Sequence, residues 1–140
     1  MTLIEKIKRS VEKATKLTCV YQSAEDVNRI VDNVKMPCAV FFLLTSGQMA
    51  DDLRNIRERV TVAMFFVDLT EFDFQAIENE RIIDKCKKSA GKWLASLVSS
   101  HDLRLVSVEG TERVYDRFDA QLTGYAVRVT VEELQGICSK

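Results

Sequence analysis

Residues 57–69, "RERVTVAMFFVDL", carry apolar side chains on both phases of a two-residue period. In an extended chain Val60, Val62, Met64 and Phe66 fall on one face, and Thr61, Ala63, Phe65 and Val67 on the other. Upstream, residues 38–47, "CAVFFLLTSG", repeat the pattern directly after the only proline, Pro37. A strand apolar on both phases is covered on both sides, or on one side with a partner subunit on the other. Two neighbouring antiparallel strands are the economical reading. The segment between them, "TSGQMADDLRNI" at 45–56, holds Gly47 and many polar residues. It is either a long hairpin loop or an extension of both strands beyond the sheet.

Helical periodicity lies on either side of this pair. Leu3, Ile4, Ile7, Val11 and Ala14 share one face of an opening helix expected to end near Leu17. A short extended piece follows around "TCVYQS". Ser23 with Asp26 then resembles a capping box for a brief helix over 24–34, closed by Pro37. Downstream, a long helix is expected from Asp73, its cap, to about Ser99. Its apolar stripe runs through Phe74, Ile77, Ile82, Ile83, Cys86, Ala90, Trp93, Leu94 and Leu97, with Lys85, Lys87, Lys88 and Lys92 opposite. Gly91 inside it points either to a close packing contact or to a well-buried stripe that tolerates it.

The remainder reads as β structure: "LRLVSVE" at 103–109, a turn at Gly110-Thr111, then "RVYDRFDAQLTGYAVRVTVEEL". In that last run Phe118, Ala120 and Leu122 alternate on even numbers, whereas Tyr125, Val127, Val129 and Val131 alternate on odd ones. The change of phase at Thr123-Gly124 predicts a β-bulge or a sharp bend. The whole describes one α+β domain over residues 1–140, with a mostly antiparallel sheet of four or five strands and an N-terminal and a long helix packed on it.

Composition narrows the function classes. With 20 Lys+Arg against 21 Asp+Glu the net charge is -1, whereas domains that hold nucleic acid carry a basic excess. No specific nucleic acid is expected as a partner. The longest apolar run, 39–44, falls far short of the roughly 20 residues that span a bilayer, and the charged N-terminus lacks the apolar core of a signal peptide. Cys19, Cys38, Cys86 and Cys138 are widely spaced and form no C-x-x-C pair, so a reduced, intracellular chain without a metal site is expected.

No constellation compels a catalytic reading. The one histidine, His101, sits beside Asp102 after the long helix, where an imidazole meets the last carbonyls. Carboxylates pair at Asp51-Asp52, at Glu132-Glu133 and in "ENE" at 78–80, all at places that predict no burial for general acid work. The 5 glycines are dispersed and make no phosphate cradle. Arg54, Arg57 and Arg59 could fork onto phosphates, but Asp51, Asp52 and Glu58 lie among them, as in a solvated or intersubunit salt-bridge loop. Neither catalytic residues nor cofactors are therefore expected.

The order of elements resembles the tail terminator and tail-completion proteins of long-tailed bacteriophages. The resemblance is carried by the proline-led strand "MPCAVFFLLTSG", the second strand "RERVTVAMFFV", a long helix opening "DFQAIENE", and the closing pair "VYDRFDAQLTGYAVRVTVEE". It implies a non-enzymatic virion protein, assembled in the host cytoplasm, whose ring, commonly a hexamer, caps the tail tube and meets the head connector. Its partners would be itself, the tail tube protein and the head-neck connector, with no membrane. Met49, Asp51, Asp52, Arg54, Arg57 and Arg59 would then stand in the excursion that contacts neighbours or tube. Two alternatives fit the same pattern: a head-tail joining or neck protein, and a small intracellular α+β binding module.

Overall fold

The computed structural model describes residues 1–22, 35–52, 55–70, 76–117 and 122–134. The expected helix over 24–34, the Asp73 cap, Phe74, Arg54, Phe118, Ala120 and Cys138 lie outside the described residues. In chain order the elements are α1 (Leu3–Thr15), β1 (Thr18–Tyr21), β2 (Cys38–Asp52), β3 (Asn55–Leu69), α2 (Ala76–Val98), β4 (Leu103–Arg117) and β5 (Leu122–Glu133). The fold is α+β. One five-stranded sheet runs in the order β1-β2-β3-β5-β4, with β1 parallel to β2 and every other pair antiparallel. The parallel edge strand is the part of the topology that sequence periodicity does not specify.

Helix α1 starts where Thr2 caps it, its hydroxyl accepting from the Glu5 backbone N–H at 3.1 Å. It stops at Lys16, whose φ of 64° is left-handed and whose N–H bonds back to the Glu12 carbonyl. Its buried Leu3, Ile7 and Val11 join Cys86, Ala90, Trp93 and Leu97 of α2 over one face of the sheet. From that face Ala39, Phe41, Val60, Val62, Met64, Phe66, Val127, Val129 and Val131 meet them. Trp93 is fully buried, and its indole N–H donates to the Ser10 hydroxyl at 2.9 Å, so the polar end of the largest core side chain is satisfied. Ile77, expected on this stripe, is 58% exposed instead.

The opposite face carries a second cluster: Cys38, Val40, Ala63, Phe65, Val67, Val114, Leu122 and Ala126. Both phases of β2 and β3 are thus apolar because both faces are covered. Free Cys19, Cys38 and Cys86 are buried, and burial pushes the Cys38 and Cys86 thiols up to about 12, as for small core residues.

Two expectations about the C-terminal strands are corrected. β5 pairs with β3 without a shift from Leu69↔Leu122 to Arg59↔Glu132, so the phase change at Thr123-Gly124 is no bulge against β3. Leu122 and Ala126 belong to one face and Tyr125, Val127, Val129 and Val131 to the other, both buried. The irregularity sits in the neighbour: between Val114↔Gly124 and Arg117↔Leu122, residues 115 and 116 of β4 oppose one residue of β5. Nor does Gly110-Thr111 turn the chain. β4 runs through it, with register shifts at Leu105/Ser107 and Val108/Gly110. Bulges along an edge strand blunt its pairing with other chains.

The structure also decides the reading of Gly91. A Cβ there would meet nothing within 4 Å. Gly91→Ala is expected to raise stability by about 1 kcal/mol through helix propensity, seen as a Tm increase of a few degrees in thermal unfolding. An unchanged or lower Tm would show that the glycine serves the helix.

Candidate functional site: the projecting hairpin and its arginine–glutamate base

β2 and β3 pair along their whole length, to Asp52↔Asn55, whereas β3 meets β5 only from Arg59 onward. Residues 55–58 of β3 and 48–52 of β2 therefore extend past the sheet as a two-stranded arm, about 13 Å long on the β3 side at the usual rise per residue. Of the two possibilities for 45–56, strand extension is the one found. Met49, Asp51 and Asp52 lie on the β2 side of this arm by register; their side chains, like all of Arg54, are outside the described residues. Arg57 and Arg59 stand at its base.

Those two arginines reach the strand behind them. Glu132 stands opposite Arg59 on β3 and Arg104 on β4, so three adjacent strands place one carboxylate between guanidiniums. Arg59 Nη2 donates to Glu132 Oε2 at 3.1 Å and Arg104 Nη2 to the same oxygen at 2.9 Å. Arg57 Nη1 lies 3.6 Å from Oε1. Glu132 is only 2% exposed. Burial alone would push its carboxyl up, but hydrogen bonds and charge from Arg104 and Arg59 outweigh that and hold it below its ordinary value. At neutral pH it is ionised and has no proton to give, so it acts as an electrostatic tie across β3, β5 and β4.

The next residue performs the same task on the helix face. Glu133 Oε1 accepts the Glu58 backbone N–H at 3.2 Å, and its Oε2 accepts from Lys6 Nζ at 3.1 Å. The arm's base is thereby tied to β5 and, through Lys6, to α1. The Glu132-Glu133 pair, at a strand end where the sequence predicts no burial, is buried because β5 is an inner strand, with β3 running past its end and β4 paired level with it. Sequence reading missed Glu132, Glu133, Arg104 and Lys6 as parts of this site. Their signal lies in strand register alone.

The other candidates stay apart. His101 is exposed in the turn between α2 and β4 and makes no hydrogen bond or ion pair among the described residues. Glu80 pairs with Arg113 across α2 and β4 at 2.6 Å. Among the described residues no group of three or more His, Cys, Asp or Glu is arranged to hold a metal ion, and no helix is long and apolar enough to cross a membrane. A scan against protein-family models finds no match for this chain, and a search of curated proteins finds no similar sequence.

Proposed function

We propose that this chain is a virion assembly protein of the tail-terminator type: it forms a homo-oligomeric ring, caps the tail tube and joins it to the head connector. It acts without catalysis or cofactor, in the virion after assembly in the host cytoplasm. The observation that carries this reading is the arm. The hairpin of β2 and β3 runs on past the end of the β3–β5 ladder and is tied at its root by Glu132 and Glu133. Such a projection suits a repeated heterologous contact, since each subunit must reach the next for a ring to close. Near-zero net charge leaves little long-range repulsion between copies.

The test is on growing tail tubes of the same phage. Added chain is expected to stop elongation and to appear as a cap at one tube end in electron micrographs. Tubes that keep their length distribution and carry no cap would refute the proposal.

A further inference from the structure

A groove of about 490 Å³ runs between α1 and the C-terminal end of α2, within the roughly 300–1,000 Å³ of small-molecule sites. Its two walls differ in chemistry. Arg9 and Lys13 stand one turn apart on α1 and share a helix face. Both are exposed, and neither has a hydrogen bond or ion pair among the described residues. The third cation of that wall, Lys6, is already neutralised by Glu133 at 3.1 Å. The α1 wall therefore holds two free positive charges with unused N–H donors.

Opposite them stand Ser99, Ser100, His101 and Asp102. Because α2 ends here, its last carbonyls give this wall the negative end of the helix dipole. Part of that is already taken up: the Ser99 hydroxyl donates to the Ser96 carbonyl at 3.4 Å, and the Ser100 N–H to the Leu97 carbonyl at 3.3 Å. The Ser100 hydroxyl accepts the backbone N–H groups of Asp102 and Leu103 and keeps its own proton to donate. The Asp102 side chain is exposed, and its carboxylate has no partner among the described residues. Ionised, it accepts hydrogen bonds and donates none.

An anion belongs on the α1 wall alone, whereas the second wall suits groups that donate hydrogen bonds. A molecule with a phosphate at one end and hydroxyls at the other meets both. Apart from Ala14 and the His101 imidazole the described lining is polar, which gives a nucleobase or an acyl chain little to pack on. We propose that this groove binds a small phosphorylated polyhydroxy compound, a sugar or polyol phosphate. Arg9 and Lys13 hold the phosphate, and Asp102 and Ser100 take up hydroxyl groups. The site stands independently of the ring reading.

Isothermal titration of the full chain with glucose-6-phosphate, inorganic phosphate, glucose and adenosine monophosphate tests it. Glucose-6-phosphate is expected to bind about tenfold more tightly than inorganic phosphate or glucose, because it alone engages both walls. Arg9→Gln with Lys13→Gln should weaken that binding about tenfold or more. Asp102→Asn should also weaken it, yet leave inorganic phosphate bound as tightly as before or more so, since a nearby negative charge is gone. All three changes are at exposed side chains, so thermal unfolding should confirm intact folding. Absence of glucose-6-phosphate binding, or binding that survives the loss of Arg9 and Lys13, would overturn the site. Inorganic phosphate or adenosine monophosphate binding as tightly as the sugar phosphate would overturn the ligand class.

Discussion

Gly124→Ala is expected to cost about 3 kcal/mol or more, lowering Tm by roughly 10 °C or beyond, a large effect for one methyl group. A Cβ at this position would come within 1.9 Å of the Phe66 carbonyl oxygen and 2.9 Å of both the Phe66 carbonyl carbon and Val67 Cα. All three are backbone atoms of β3, so no rotamer change relieves the clash. Relief requires moving β5 away from β3, and these are two inner strands of the sheet, paired without a break over Leu122–Glu132. The ladder and both hydrophobic clusters would then open together. Thermal unfolding followed by circular dichroism measures this directly, and a loss below about 1 kcal/mol would show that the strands approach less closely than described.

Glu132→Ala is expected to destabilise by about 3 kcal/mol. That is near the lower end for breaking a buried ion pair, because Arg59 and Arg104 retain partial access to water that softens the loss. Removing the carboxylate leaves Arg57, Arg59 and Arg104 facing one another at the root of the arm. The pH dependence has a definite sign. Since the folded-state carboxyl is held below its ordinary value of 4.5, its contribution is present above that pH and is lost as pH falls through the lowered value. Denaturant titrations should therefore find the original chain well ahead of Glu132→Gln at neutral pH and the gap narrowed at about pH 3. A gap that is constant across this range would mean that the ionised form is not the stabilising one.

Much of the fold is legible in the chain because its two periods are clear. Val60, Val62, Met64 and Phe66 against Thr61, Ala63, Phe65 and Val67 announce a strand covered on both faces, and the helix face takes up the first set as that pattern requires. The same two-sided burial misleads at Thr123-Gly124. When both phases are apolar, a passage from one to the other looks like an inserted residue, yet the inserted residue lies in β4. The site was legible in part. Arg57 and Arg59 are conspicuous as a charge cluster, but nothing in their sequence neighbourhood points to Glu132, an acid over seventy positions away that both reach. Pairing across strands is set by register, which local patterns do not encode until the hairpin and the β3–β5 ladder are both in place.

Solution mass decides the central claim, that this arm exists to join copies of the chain. Light scattering on the purified protein across a concentration series should give a closed assembly of several subunits, about six, whose mass stops rising with concentration. A mass that stays at the 15.9 kDa of one chain throughout would contradict it.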